Sequence, residues 1–147
     1  MGYEPLQFFK YEPLQLFIET GWLAAHGVGA EPIDSDHKRL FQTLKRMREA
    51  YAAGQDTLCL SLINAFDRMI RAHFAHEEAM FPQLAYPGAG RHIAQHKVLA
   101  ARIETITQAA ARTPLPPHTL ADLIDSLAVV AITDHLALDL ELKQYLP

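Results

Sequence analysis

Four stretches of this chain carry apolar residues at the three- and four-residue spacing of an α-helix, and each stretch ends at a clear break. The stretches run from about 34 to 53, 56 to 84, 89 to 111 and 119 to 142, separated by Gly54, YPGAG at 86–90 and TPLPP at 113–117. No alternating pattern of comparable length indicates β-strands. Amphipathic helices joined by short connections pack as antiparallel neighbours. The sequence therefore predicts an all-α fold, an antiparallel up-down-up-down four-helix bundle over residues 33–147.

Residues 1–32 are predicted to form a separate N-terminal arm. In this arm YEPLQ occurs at 3–7 and again at 11–15, among the apolar residues Phe8, Phe9, Leu16, Phe17 and Trp22. One interpretation is that the arm packs across the bundle. An exposed arm would instead offer an apolar patch for self-association or for a protein partner.

Composition excludes several classes of partner. A net charge of −4 provides no broad basic surface, so we expect no nucleic-acid binding. No apolar run approaches the roughly 18 residues of a membrane span, and we expect no membrane insertion. The N-terminus lacks a basic region before a hydrophobic stretch, which favours a cytoplasmic location. The single cysteine, Cys59, cannot form an intramolecular disulfide.

Three of the predicted helices carry a pair of metal-ligating side chains four residues apart. Residues at this spacing lie one turn apart on the same face of a helix, separated by about 40° around its axis. Each pair lies on the apolar stripe of its helix, and a further histidine lies near the start of the first helix. These residues are His37, His73 with Glu77, His92 with His96, and His135 with Asp139.

These seven side chains are predicted to lie at one end of the bundle. Helices 1 and 3 begin at the end of an antiparallel bundle where helices 2 and 4 finish. A lone buried histidine such as His37 is more often a hydrogen-bonded core residue than a ligand. Burial of five imidazoles and two carboxylates together would cost many kcal/mol without metal ions to compensate them. The sequence therefore predicts a buried two-metal site, to which His76, Glu78, His26 and His118 do not contribute.

The chain resembles the hemerythrin family, and more closely its single-domain bacterial members. The similar fragments are GVGAEPIDSDHKRLF at 27–41, HFAHEEAM at 73–80 and YPGAGRHIAQH at 86–96. The resemblance implies a non-haem centre of two iron ions, bridged by an oxo or hydroxo group, that binds dioxygen reversibly for storage, delivery or sensing. Carried over by matching positions, it implies one iron held by His92, His96 and His135, the other by His37 and His73, and bridges from Glu77 and Asp139.

The fourth fragment departs from the family pattern. Members usually place the bridging aspartate five residues after the histidine of this helix, whereas Asp139 follows His135 by four. Counting back five from Asp139 reaches Asp134 instead, so one residue has been lost or the helix is locally over- or under-wound. We favour His135 with Asp139 as ligands, because a spacing of four suits an α-helix. Ala131 also replaces a common tryptophan, so a redox enzyme acting on peroxide or nitric oxide, or an iron sensor or store, stays open.

Overall fold

The computed structural model describes residues 29–31, 33–112 and 114–146, with the backbone alone at 135–137 and 140. The main helices are α1 (Ile33–Ala52), α2 (Asp56–Met80), α3 (Ala89–Ala110) and α4 (Thr119–Ile132). Beyond α4 the chain continues through a π-helix (Thr133–Asp139), a short α-helix (Leu140–Leu142) and a 3-10 turn (Lys143–Tyr145). The all-α prediction is confirmed, with no strand among the described residues. The predicted arm lies outside them except for residues 29–31.

The main helices pack as a four-helix bundle. Each contacts the next along the chain, and α4 returns to contact α1 and α2. The connections span only residues 53–55, 81–88 and 111–118, so that consecutive helices run antiparallel. Within the described part of the chain, no helix combines the length and apolar composition that crossing a membrane requires.

Gly54 makes the tight turn between α1 and α2. Its φ of +72° lies in the left-handed region, which glycine adopts without steric cost. The Gly54 N–H donates to the Tyr51 carbonyl at 3.0 Å, and the Gln55 N–H donates to the Ala50 carbonyl at 2.8 Å. These two bonds satisfy carbonyls at the end of α1 and return the chain towards it.

Three helix ends have identifiable local features. Asp56 is the first residue of α2, and its carboxylate lies near the positive end of the helix dipole. The residue before α4 is His118, whose carbonyl accepts from the Asp122 N–H at 3.1 Å. Helix α2 ends at Met80, and the 3-10 turn Phe81–Gln83 follows it. The α-helix does not continue because Pro82 has no N–H to donate to an α-helical hydrogen bond.

Two apolar clusters lie above and below a layer of buried polar side chains. The main core contains buried residues of all four helices, including Leu40, Ile70, Leu99 and Ile124. A smaller cluster at the end of the bundle consists of Ile33, Phe81, Tyr86 and Leu142. Along every helical segment the polar residues come between members of the two clusters. Apolar side chains therefore cover the layer on both sides.

Candidate metal centre

Side chains from all four helical segments meet in this buried layer. None of them is more than 2% exposed to solvent. The layer brings together six of the predicted ligands and one aspartate that was not predicted; its members are His37, His73, Glu77, His92, His96, Asp134 and Asp139. The side chain of His135, the remaining predicted ligand, lies outside the described residues.

These seven side chains form two overlapping groups of potential metal ligands. Within each group the ligating atoms lie within 4.8 Å of one another. One group contains the histidine pair of α1 and α2, and the other contains the pair of α3. Both groups share the three carboxylates Glu77, Asp134 and Asp139. Two histidine pairs around shared carboxylates could hold two cations close together.

The spacing of four residues brings the predicted ligands of α2 to one face of that helix, and those of α3 likewise. On α2, the Nε2 atom of His73 lies 2.6 Å from Oε1 of Glu77. On α3, the rings of His92 and His96 have centroids 4.5 Å apart. Regular α-helix is therefore sufficient to present both pairs on one face.

A π-helix presents the two aspartates of the fourth segment. Asp134 and Asp139 are five residues apart, and in an α-helix such residues would lie about 140° apart around the axis. The wider turn of the π-helix Thr133–Asp139 pairs residues five apart instead, and both side chains are buried in the layer. The predicted spacing of four assumed a regular α-helix, which this segment does not adopt.

Both predicted bridging carboxylates contact histidines of the two pairs. Asp139 places Oδ2 at 2.6 Å from Nε2 of His37 and Oδ1 at 3.2 Å from Nε2 of His92. Glu77 places Oε1 at 2.6 Å from Nε2 of His73 and Oε2 at 3.4 Å from Nε2 of His92. Each of these carboxylates thus contacts both histidine pairs, as a shared ligand requires.

Asp36 anchors the outer side of His73. Its Oδ2 atom lies 3.2 Å from Nδ1 of His73 and 2.7 Å from Nδ1 of His76. Asp36 is buried, whereas His76 is 43% exposed. A proton held on Nδ1 by this carboxylate leaves the lone pair of His73 on Nε2, which faces the layer.

The two histidines of α3 also have partners at Nδ1, the ring nitrogen that faces away from the layer. Nδ1 of His96 lies 2.9 Å from Oε2 of Glu78, and Nδ1 of His92 lies 3.3 Å from the Tyr86 hydroxyl. The Phe74 ring stacks on His96 with centroids 4.1 Å apart. These contacts orient both rings with Nε2 towards the carboxylates.

Several buried atoms of the layer have no hydrogen-bond partner among the described residues. They are both oxygens of Glu77, Nε2 of His92 and His96, and Oδ1 of Asp134 and Asp139. Nitrogens and oxygens face one another at distances such as 3.2 Å between His92 and Asp139, without hydrogen-bond geometry. Buried polar atoms in this condition are costly unless a cation binds them. The residues therefore fit a metal centre.

Burial and neighbouring charges shift the pKa values of several side chains in the layer. Burial, together with the charges of Asp134 and Glu77, raises the pKa of Asp139 well above its usual range. Burial alone would also raise the pKa of Asp134, but the neighbouring imidazoles hold it well below that range. Burial would lower the pKa of His73, yet its carboxylate contacts raise it well above the ordinary value. Metal ions bound in the layer would compensate the charge of these carboxylates in place of protons.

Two acidic residues of the site were not predicted from the sequence. The sequence contains a feature that could have identified Asp134, because this residue precedes Asp139 by the five positions usual in the family. Asp36 gave no comparable signal, because its contacts depend on how α1 packs against α2. His76 and Glu78, which were not predicted as ligands, belong to neither donor group; His76 contacts Asp36, and Glu78 contacts His96.

Comparisons with known proteins agree with this geometry. The family model for the hemerythrin HHE cation binding domain matches residues 28–140. A bacteriohemerythrin of Stenotrophomonas maltophilia (strain R551-3) is 26% identical over 82 residues, which are 56% of this chain and 54% of that protein. The chain thus spans about half the length of this curated relative, and no solved structure matches significantly. Because the family match covers most of the chain and every donor of the layer, the chain belongs to the hemerythrin HHE cation-binding domain family.

Proposed function

We propose that this protein binds dioxygen reversibly at a centre of two iron ions, for storage, delivery or sensing. The observation that carries the proposal is the buried layer in which two histidine pairs surround shared carboxylates. Histidine and carboxylate also suit manganese and zinc. Membership of the hemerythrin family, and similarity to a protein named bacteriohemerythrin, favour iron.

Each histidine pair would hold one iron. The first pair is His37 with His73, the second is His92 with His96, and Glu77 and Asp139 would be shared between the ions. Ferrous iron would supply the electrons with which dioxygen is held reversibly. The family resemblance also implied His135 as a ligand, and its side chain lies outside the described residues.

The outer partners of the histidines would prepare the centre to bind metal. Asp36, Glu78 and Tyr86 each contact the Nδ1 atom of one ring. A proton kept on Nδ1 fixes the tautomer and directs the Nε2 lone pair inward before any ion arrives. Partners of this kind typically change metal affinity by about 10- to 100-fold.

The apolar clusters would keep water from the centre. Ile33 and Leu142 are fully buried on one side of the layer, and the Phe81 ring lies 4.9 Å from that of His92. On the other side, Phe74 covers His96. Exclusion of water would slow proton-coupled loss of electrons to dioxygen, which favours reversible binding.

Redox turnover of peroxide or nitric oxide is the second candidate. It is favoured by Asp134, which adds a third carboxylate to the two that the family resemblance implies. Anionic ligands stabilise the higher oxidation states of iron and oppose the return to the ferrous state. A carrier and a redox enzyme therefore differ in whether the oxidised centre reverts.

Oxygen uptake by the ferrous protein separates the two candidates. Protein loaded anaerobically with ferrous iron should take up one dioxygen for each pair of ions, release it on purging, and regain its starting absorption through repeated cycles. Zinc-loaded protein, which cannot donate electrons, is the matched control and should take up none. Permanent conversion to a ferric spectrum without recovery of dioxygen would reject reversible binding and support redox turnover.

A further inference from the structure

We propose that Asp134 is a metal ligand of this centre, so that each ion is held by two histidines and all three carboxylates are shared. The inference rests on the proposed two-metal centre and specifies its ligands. It differs from the arrangement that the family resemblance implies, in which three histidines hold one ion and two hold the other. Asp134 takes the place of a histidine in the fourth helical segment.

Asp134 contacts both histidine pairs. Its Oδ2 atom lies 2.9 Å from Nε2 of His73 and 3.9 Å from Nε2 of His37. Its Oδ1 atom lies 3.3 Å from Nε2 of His96. One oxygen is thus directed to the pair of α1 and α2 and the other to the pair of α3. Asp139 makes the same division between the pairs.

A bound cation would compensate the buried carboxylate of Asp134. The side chain is 1% exposed, and its Oδ1 atom has no hydrogen-bond partner among the described residues although it faces His96. Glu77 and Asp139 bring two further carboxylates into the same dry layer. Three carboxylates this close together repel one another unless protons or metal ions lie between them.

The third carboxylate changes the donor count. Two histidines and three shared carboxylates provide five protein donors for each ion, and an octahedral ion would keep one further position. Each ion would then keep one position, which a bridging oxo or hydroxo group or an exogenous ligand could take. Counted in the same way, five histidines and two shared carboxylates would provide about nine protein donors and leave about three positions on the two ions.

A count of bound imidazoles in the cobalt(II)-substituted wild-type protein tests this ligand set. Each imidazole bound through Nε2 retains an exchangeable Nδ1 proton, whose NMR signal is strongly shifted by the paramagnetic ion and lost in D2O. We expect four such signals. Five signals would overturn the proposal, because a fifth histidine would then be a ligand. Failure to bind two cobalt ions would instead reject the two-metal centre itself.

Substitution of Asp134 provides the second test. Cobalt(II) titration against a competing chelator should show that Asp134→Asn weakens metal binding by about tenfold or more, since a neutral amide cannot offer two anionic oxygens. The matched control is Asp122→Asn, which removes an exposed carboxylate from α4 and should leave the affinity unchanged. Circular dichroism of the apoproteins verifies folding.

The variant His135→Gln distinguishes the two candidate ligands of this segment. Under the proposal, His135→Gln retains two cobalt ions and four shifted signals. Wild-type affinity in Asp134→Asn together with loss of an ion in His135→Gln would overturn it. If Asp134→Asn fails to fold, the number of shifted NMR signals in the wild-type protein still tests the proposal.

Discussion

Asp134 and Asp139 lie five residues apart in one π-helical segment, and each directs its two oxygens to different histidine pairs. A regular α-helix could not bring residues at this separation to one face. π-Helical turns are rare in proteins, and those that occur are often found at functional sites. The local winding of this segment thus determines which carboxylates reach the centre.

Glu77 should be indispensable for binding a pair of metal ions. Glu77→Ala removes a carboxylate that contacts both histidine pairs, so we expect loss of at least one ion per chain. His76→Ala is the matched control on the same helix, because His76 contacts Asp36 and belongs to neither donor group. Metal analysis after anaerobic iron loading provides the measurement. Equal metal content in the two variants would contradict the geometry.

Asp36 should control metal affinity without being a ligand. Asp36→Asn weakens the contact that orients His73, so we expect affinity to fall by about 10- to 100-fold while two ions still bind at saturation. Competition with a chelator measures the affinity. Asp67→Asn, which removes the partially exposed partner of Arg71, is the control and should bind metal as the wild type does. A reduced number of ions at saturation in Asp36→Asn would show that Asp36 is itself a ligand.

Gly88 should be required for the position of Tyr86. A Cβ atom at Gly88 would lie 2.8 Å from the Tyr86 hydroxyl oxygen, whereas one at Gly90 would meet no atom within 4 Å. The φ of −85° at Gly88 suits alanine, so the effect of substitution is steric. We expect Gly88→Ala to lower the melting temperature and to weaken metal binding through the displaced contact with His92.

Gly90→Ala is the matched control for this prediction. It lies in the first turn of α3, and replacement of a helical glycine by alanine stabilises by up to about 1 kcal/mol. Thermal unfolding of both variants, with and without metal, makes the comparison. A rise in melting temperature in both would mean that Tyr86 moves aside without cost.

Cys59 should make the apoprotein less stable at high pH. Burial, followed by the charge of Asp56, raises the pKa of the thiol from 9.0 to about 11. The folded state then holds this proton more tightly than the unfolded state does. The contribution to stability is fully present below pH 9.0 and is lost as the pH rises towards about 11.

Urea unfolding between pH 7 and 10.5 measures this effect. Other groups also titrate in this range, so the informative quantity is the difference between the wild type and Cys59→Ala. We expect the free energy of unfolding to fall more steeply with pH in the wild type. A difference between the two proteins that is independent of pH would contradict the prediction.

The first three helices were predictable because their signals are local. Apolar residues recur at the period of an α-helix, and the breaks at Gly54 and in YPGAG interrupt that period. The observed α1 (Ile33–Ala52) and α3 (Ala89–Ala110) differ from the predicted ranges by one residue at most at each end. The predicted ligand pairs of α2 and α3 needed only a regular α-helix to lie on one face.

The fourth segment was less predictable. A continuous helix over 119–142 was predicted, but α4 ends at Ile132 and a π-helix follows. Apolar residues continue through both windings, so their pattern does not distinguish them. The choice depends on contacts that Asp134 and Asp139 make with histidines on three other helices.

The sequence by itself determined the helical class, the order of the helices and the level at which His37, His73, Glu77, His92 and His96 meet, because helical period and short connections are properties of neighbouring residues. Tertiary structure decided which residues of the fourth segment enter the layer and which groups, such as Asp36, orient the ligands from outside. The physical reason is that these choices depend on distances between side chains remote in the chain, where burial, charge and packing act together.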